Sequence, residues 1–268
     1  MSRIAQFWNN LVNFWRRTPP VTPPLMDLGD GIKRRAVVYA LDKVNPAAYG
    51  GWNGDCPGTL KDAAKAARVL SARGYEVVTL IDSAATIGGV IYACEKATAD
   101  MKAGDKFVIY GSSHGGQKKD LNGDEKGGMD STICLWDGEL VDDRVWEFLI
   151  LLPAGLEADF ITDSCNSGTN YRGPRRFASA LFARDMRHAR SNGDQIRCSC
   201  THFGGCPDGM SSYGGVDGGV FTNALFAAGP LGYTRREWFA AAKALQPRNQ
   251  QFVYEEIGPS VGNGKALA

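Results

Sequence analysis

Residues 107–116 read FVIYGSSHGG, and residues 160–169 read FITDSCNSGT. Each stretch is a short apolar run that ends in polar and small residues, which is typical of a buried parallel strand that enters a turn. The first run leads to His114 and the second to Cys165. Since ligands of parallel α/β sheets bind beyond the carboxyl ends of the strands, we expect both side chains just after their strands, at one edge of one sheet.

The rest of the chain from residue 33 alternates short apolar runs with longer amphipathic ones, which predicts an α/β fold with a mostly parallel central sheet covered by helices. The predicted strands are 35–41, 75–81, 106–112, 158–164 and 195–201. The predicted helices are 59–73, 86–102, 142–151, 175–190 and 235–245.

Composition narrows the class of protein. The 268 residues are 44% hydrophobic and 22% charged, which is ordinary for a globular chain. The chain has 30 Lys and Arg against 29 Asp and Glu, so no overall field favours nucleic acid or an acidic membrane surface. Seven cysteines, an odd number without a regular framework, indicate a reducing compartment and a cytoplasmic protein.

His114 and Cys165 have the chemistry of a nucleophilic pair. A thiolate attacks a carbonyl, and a neighbouring imidazole handles the proton. The small residues that follow, Gly115 after the histidine and the turn after Cys165, offer backbone N–H groups for an oxyanion. His188 falls in a predicted helix and His202 after a different strand, so His114 is the best-placed base. The alternative is that Cys165 only packs, as buried cysteines often do.

Several segments together resemble the caspase-like cysteine peptidases, and within them the metacaspase branch. Cys165 follows His114 by 51 residues, close to the roughly 50-residue spacing of caspases. The resemblance also covers LKDAAKAARVLSARGYEVVTLID at 60–82, HGGQKKDLNGDEKGGMDSTICLWDGELVDDRVWEFL at 114–149, GGCPDGMSSYG and GGVFTNAL. It implies a three-layer sandwich with helices on both faces of the sheet, and a monomer.

The resemblance assigns roles to individual residues. It implies that Cys165 is the nucleophile, that His114 is the general base, and that the N–H groups of Gly115 and Cys165 bind the oxyanion. It also implies an acidic pocket for a basic substrate side chain, formed by Asp62, Asp163, Ser112 and, at its border, Asp208. Carboxylates in a partly desolvated slot favour a guanidinium or an ammonium, so the predicted cut follows Arg or Lys. Without the resemblance, Asp62 is interpreted as a solvated acid in the first turn of a helix, and Asp163 as a hydrogen-bond acceptor at the end of a strand.

The resemblance suggests one metal site, for calcium, because metacaspases commonly bind calcium through carboxylates near the active site. Asp130, Asp142 and Asp143 are the candidate ligands. Arg172 stands where a further acid is expected, and an inserted cation opposes calcium coordination. We therefore expect no required cofactor. The DLNGDE turn at 120–125 lacks the later glycine and glutamate of an EF-hand loop.

The segment CSCTHFGGC at 198–206 carries ligand types that suit zinc. Structural zinc sites, however, usually space their cysteines two to four residues apart in turns. Strand alternation instead places Cys198, Cys200 and His202 on one face, which belongs either to the core or to a cleft. The glycine-rich loop around Cys56 lacks the lysine of a phosphate-binding loop.

Two segments lie outside the predicted peptidase core. Residues 1–25 combine an amphipathic helix with a proline-rich linker, and the helix either packs on the domain or contacts a membrane surface or a partner protein. The domain itself is predicted at 33–268, with a large-subunit-like part at 33–170, a basic connector at 171–194 and a small-subunit-like part at 195–268. The connector is either a solvated basic helix face or a site of autocleavage, for which Arg190 is the candidate.

The sequence therefore predicts a cysteine endopeptidase that acts on proteins or peptides with basic residues through an acyl-enzyme. Two alternatives stay open: an inactive or tightly gated caspase-like scaffold that binds partners, and a module recruited to membranes through residues 1–17.

Overall fold

The structure, a computed structural model, describes residues 29–119, 129–165, 196–206, 212–259 and 264–267. The predicted N-terminal helix, the connector, and the helix at 175–190 lie outside these residues. The strands are β1 Arg34–Ala40, β2 Glu76–Ile81, β3 Lys106–Lys119, β4 Met129–Leu135, β5 Gly138–Val141, β6 Glu157–Cys165, β7 Ser199–Gly204, β8 Gly214–Gly215, β9 Gly218–Gly219 and β10 Val253–Ile257. The helices are α1 Thr59–Ser71, α2 Ile87–Thr98, α3 Asp142–Leu151, α4 Val220–Ala228 and α5 Arg235–Ala244.

The main sheet runs in the order β10-β7-β6-β3-β1-β2. Strands β7, β6, β3, β1 and β2 are parallel, and β10 closes the edge antiparallel to β7. The second half of β3 continues past the parallel region and pairs antiparallel with β4, which pairs with β5. The mostly parallel α/β sheet predicted from the sequence is confirmed.

The residues of strand β1 show why helices cover both faces of the sheet, which gives the fold three layers. Its Val37 and Tyr39 join one hydrophobic cluster with Val90 of α2 and Leu149 of α3. Its Ala36, Val38 and Ala40 join another cluster, which also contains Ala63, Ala66 and Leu70 of α1, Phe221 of α4 and Trp238 of α5. Because side chains alternate along a strand, the buried run of β1 serves both faces of the sheet, and helices cover each face.

Most predicted elements are present, with shifted ends. Helix α3 has the predicted bounds, whereas α1 and α2 end earlier than predicted. The strand predicted at 195–201 begins at Ser199 and continues to Gly204. The strand predicted at 106–112 continues to Lys119, because its polar second half pairs with β4. Helix α4, the short hairpins and β10 were not predicted.

A buried ion pair network fixes α5 to the sheet. The guanidinium of Arg235 donates from Nε to Asp159 and, at 2.8 Å, from Nη1 to Glu157, both on β6. Lys106 of β3 completes the network with its ammonium 3.0 Å from Glu157. Among the helices that the structure describes, none is long and apolar enough to cross a membrane.

Candidate active site

The register between β3 and β6 brings the two candidate catalytic residues side by side. His114 is the Cα partner of Cys165, and two residues earlier Ser112 is the partner of Asp163. Adjacent parallel strands lie about 4.8 Å apart, so the backbone places the two residues on neighbouring positions of one sheet. The prediction that both residues follow strand ends is wrong: His114 lies within the extended β3, and Cys165 is the last residue of β6.

The imidazole of His114 is buried between the sheet and the loop that joins β1 to α1. Its Nε2 atom lies 3.3 Å from the backbone carbonyl oxygen of Asp55. The indole of Trp52 lies against the ring, with centroids 4.9 Å apart and planes inclined by 53°. Apart from the glycine-rich character of the loop, no sequence signal predicts either contact.

Two aspartates hold this loop in place. Asp82 has a left-handed φ of 45° and accepts at 2.9 Å from the backbone N–H of Asp42. The Asp42 carboxylate in turn accepts at 2.7 Å from the hydroxyl of Thr59, at the start of α1. The Asp42 carbonyl accepts from the N–H of Cys56. These bonds tie both ends of the loop to the sheet edge and keep Asp55 beside His114.

The two predicted pocket acids lie near each other in the interior of the protein. Asp62 of α1 and Asp163 of β6 are both almost fully buried, with 1% and 2% exposure. The alternative interpretation of Asp62 as a solvated helix acid is therefore wrong, whereas its assignment to a substrate pocket stays a prediction. Each carboxylate is held by residues from the C-terminal part of the chain.

Asp163 has a full set of partners. Its Oδ1 accepts at 2.7 Å from the hydroxyl of Ser212. Its Oδ2 accepts from the N–H of Thr222 at 3.0 Å and from the hydroxyl of Thr222 at 2.7 Å. Burial raises the pKa of Asp163, while these three donors act in the opposite direction. Gln250 extends the network by donating to Ser212 at 2.9 Å.

Asp62 is held on one oxygen only. Its Oδ2 accepts from the hydroxyl of Ser112 at 3.2 Å and from the N–H of Gly219 at 2.8 Å. Its buried Oδ1 has no hydrogen-bond partner among the described residues. Burial, and then the nearby Asp163, raise the pKa of Asp62 from 3.8 to about 7. A buried acceptor of this kind is costly unless a donor fills the site.

A glycine hairpin, Gly214–Gly219, forms one wall against these carboxylates. A Cβ on Gly218 would lie 2.2 Å from Asp62 Oδ1, and a Cβ on Gly219 would lie 2.0 Å from Asp163 Oδ2. Only glycine allows the backbone to approach both acids this closely. The stretch GGVDGGVFT at 214–222 therefore contains pocket residues that sequence reasoning used only as part of the resemblance.

For the other predicted site residues, the structure describes either the backbone position or nothing. Gly115 lies in β3 and pairs with Ile133 of β4. Asp142 and Asp143 begin α3, and Asp130 lies near the start of β4, so the β4–β5 hairpin brings all three backbone positions to the same end. Within the described ranges, no group of three or more potential ligands is arranged for a metal ion. Asp208, Arg172, His188 and Arg190 lie outside the described residues.

The cysteines of the segment at 198–206 belong to the core. Cys198, Cys200 and Cys206 are buried, and the sulfur atoms of the first two lie 3.0 Å apart. His202 is fully buried, and its Nε2 lies 2.8 Å from the hydroxyl of Thr162. Burial lowers the pKa of His202 to about 3, so this imidazole is neutral at physiological pH. Of the two described histidines, His114 is therefore the one beside the candidate nucleophile.

Comparison with known proteins identifies the family of the chain. The family model described as caspase domain matches residues 39–229. Metacaspase-1 of Schizosaccharomyces pombe is 27% identical over 231 residues, which are 80% of this chain and 52% of that protein. Metacaspase-1 of Mycosarcoma maydis is 31% identical over 151 residues, 51% of this chain and 36% of that protein. The chain thus spans about half the length, or less, of these curated relatives.

Two solved structures resemble the fold. The protein GSU0716 from Geobacter sulfurreducens superposes with a TM-score of 0.70 at 30% identity, covering 84% of this chain and 94% of that one. Caspase-1 from Spodoptera frugiperda superposes with a TM-score of 0.52 at 14% identity, covering 92% of this chain and 98% of that one. The second similarity concerns the fold alone.

Proposed function

Because the chain belongs to the caspase domain family of cysteine peptidases, we propose that it is a cysteine endopeptidase that cleaves peptide bonds after Arg or Lys. The observation that carries this proposal is the buried Oδ1 of Asp62, which has no partner among the described residues and lies beside a second buried carboxylate. A substrate guanidinium or ammonium supplies the donors and the positive charge that this site needs.

The two acids have different roles in this proposal. Asp163 is occupied by Ser212 and Thr222, so it holds the pocket together and contributes its charge. Asp62 keeps one oxygen for the ligand, so it binds the basic group directly. An acidic substrate side chain would meet two carboxylates, and a neutral one would leave Asp62 Oδ1 unsatisfied. The site therefore selects against both.

The orientation of the His114 ring supports its role as the base that takes the proton of Cys165. When Nε2 carries the hydrogen, it donates to the Asp55 carbonyl, and Nδ1 is left as the acceptor for the thiol proton of Cys165. The Cys165 thiolate then attacks the carbonyl carbon that follows the Arg or Lys side chain. The N–H groups of Gly115 and Cys165 bind the resulting oxyanion.

Breakdown of the tetrahedral intermediate releases the amine, which takes the proton from His114, and leaves a thioester between Cys165 and the substrate. Water, deprotonated by His114, then attacks the thioester carbonyl and frees the thiol. This sequence needs no metal or redox cofactor. We propose that any calcium bound near Asp130, Asp142 and Asp143 regulates the protein and takes no part in these steps.

The test is hydrolysis of a fluorogenic peptide panel with Arg, Lys, Asp or Leu before the scissile bond, with and without calcium. We expect cleavage after Arg and Lys that is lost in Cys165→Ala. Cleavage after Asp or Leu, or cleavage that persists in Cys165→Ala, would contradict the proposal. If no peptide is cleaved in any condition, the alternative of an inactive or gated scaffold that binds partners is favoured.

Three further proposals concern processing of the chain, its assembly and location, and its N-terminal segment. We propose autocleavage after Arg190, and mass spectrometry that finds only intact chain in an active preparation would contradict it. We propose a monomeric, cytoplasmic protein, which light scattering and cell fractionation test. Residues 1–17 are proposed to contact a membrane surface or a partner, and flotation with anionic liposomes, with and without these residues, separates the two.

A further inference from the structure

Trp52 occupies a position that the proposed mechanism does not yet use. Its half-buried indole lies against His114 on one side and meets the ring of Tyr49 edge-on at 5.7 Å on the other. The hydroxyl of Tyr49 donates at 2.6 Å to the Leu135 carbonyl of β4. This row of aromatic rings connects the imidazole to the antiparallel hairpin and is itself fixed at the far end.

The backbone around Trp52 is fixed as well. The N–H of Val44 donates to the carbonyl of Asn53 at 2.8 Å, which closes the loop just beyond the indole. Gly54 has a left-handed φ of 59°, and a Cβ there would lie 2.8 Å from a Val44 methyl and 3.4 Å from the Trp52 ring. The loop therefore admits only glycine next to Asn53, and it presents the indole to His114 in one place.

We propose that Trp52 is a positioning residue for the reaction, which holds the His114 imidazole against the Asp55 carbonyl and stabilises the imidazolium that forms when Cys165 gives up its proton. The inference rests on the proposed His114 and Cys165 dyad. An aromatic face attracts a cation but has little preference for the neutral ring. The indole thus favours the protonated form of His114, which exists only after proton transfer.

Other ionisable groups lie on the elements around His114, and the test must hold them constant. These groups belong to the elements packed around His114: Cys165 on β6, Asp55 and Cys56 in the loop, Asp62 behind Ser112, and the ion pair of Lys118 with Glu139 on the hairpin. Substitutions at Trp52 leave all of these residues unchanged. A difference between an aromatic and an aliphatic residue at position 52 therefore reports on the ring itself.

The first measurement is the pKa of His114 in the Cys165→Ala protein, in which the coupled thiol is removed. Titration of the histidine ring resonances by NMR gives this value, with the His114 signal assigned by its loss in His114→Gln. We expect Trp52→Leu to lower the pKa of His114 by about 0.4 to 1.5 units, and Trp52→Phe by less. Trp136→Leu is the control, because it removes another indole from the same hydrophobic cluster.

The second measurement is peptide cleavage with Cys165 present. We expect Trp52→Leu to lower kcat about 10-fold with little change in KM, and Trp52→Phe to restore most of the rate. An unchanged or raised pKa of His114 in folded Trp52→Leu would overturn the inference, as would equal losses in Trp52→Leu and Trp136→Leu. Absence of cleavage by the wild-type protein, with the pKa shift present, would count against the proposed function and not against the role of Trp52.

Discussion

Asp62→Asn is expected to make the protein more stable at neutral and alkaline pH while it weakens recognition of a basic substrate. The pKa of Asp62 rises from 3.8 to about 7 on folding, because burial and the neighbouring Asp163 disfavour the charged form. A group whose pKa is raised in the folded state contributes stability that is fully present below the unfolded pKa and is lost as the pH rises through the folded pKa. The cost of ionising Asp62 therefore grows from about pH 4 to about pH 7 and is constant above.

The magnitude follows from the size of the shift. A change of about three pKa units corresponds to about 4 kcal/mol of unfolding free energy at pH 8. The gain in unfolding free energy for Asp62→Asn is smaller than this. A polar atom of the Asn amide takes the place of Oδ1, and that position has no described hydrogen-bond partner. We expect Asp62→Asn to gain about 2 to 4 kcal/mol over wild type at pH 8 and almost nothing at pH 4.

Urea unfolding at pH 4, 6 and 8, followed by tryptophan fluorescence, measures this difference. Asp217→Asn is the matched control, because its side chain is 93% exposed and pairs only at the surface with Lys61. That control should change the unfolding free energy by less than about 1 kcal/mol at every pH. A gain for Asp62→Asn that does not increase with pH would refute the reasoning about its pKa.

The same variant tests the pocket. Loss of a hydrogen bond to a charged group typically costs about 1.5 to 3 kcal/mol, so kcat/KM for an Arg peptide should fall about 10- to 150-fold. An Asp62→Asn protein that cleaves Arg peptides as well as wild type would remove Asp62 from the site.

Three further outcomes are expected. Gly219→Ala should lower the melting temperature and raise KM for Arg peptides, because the new Cβ would lie 2.0 Å from the carboxylate of Asp163; wild-type values for both would contradict the close approach. Asp163→Ala should lower the unfolding free energy in urea by about 2 to 4 kcal/mol, because it removes the acceptor of two bonds from Thr222 and leaves buried donors unsatisfied. Arg235→Ala should cost about 3 to 5 kcal/mol in the same assay, because it leaves buried carboxylates unpaired, whereas Arg236→Ala, whose side chain is 69% exposed, should cost less than about 1 kcal/mol.

The parts of the fold that the sequence predicted are those with strong local signals. The apolar runs of β3 and β6 identified the two central strands, and the amphipathic pattern of α1 identified a helix with nearly the observed bounds. The last part of β3, with the sequence GGQKK at 115–119, carries no strand signal of its own, because antiparallel pairing with β4 determines its conformation. Helix α4 is short and apolar almost all round, so it lacks the contrast between faces that marks a surface helix.

In the candidate site, too, some residues were predicted from the sequence and others were not. His114 and Cys165 were predicted from residue type and from their places after two apolar runs, and Asp62 from the resemblance. The partners that define the pocket were not, because they are distant in sequence: 157 residues separate Asp62 from the N–H of Gly219 that binds it. Local periodicity carries no information about such pairs, whereas the register of the sheet and the glycine hairpin determine them.

The pocket has one further consequence, which concerns the order in which the chain is made. Asp62 and Asp163 precede the predicted connector at 171–194, whereas the groups that complete the pocket, Gly219 and Thr222, follow it. A ribosome-bound chain that has emerged as far as the connector already contains the proposed nucleophile and base, but it lacks the glycine wall of the pocket. Under the proposed function, selectivity for a basic substrate is therefore acquired only when the C-terminal part of the chain has folded.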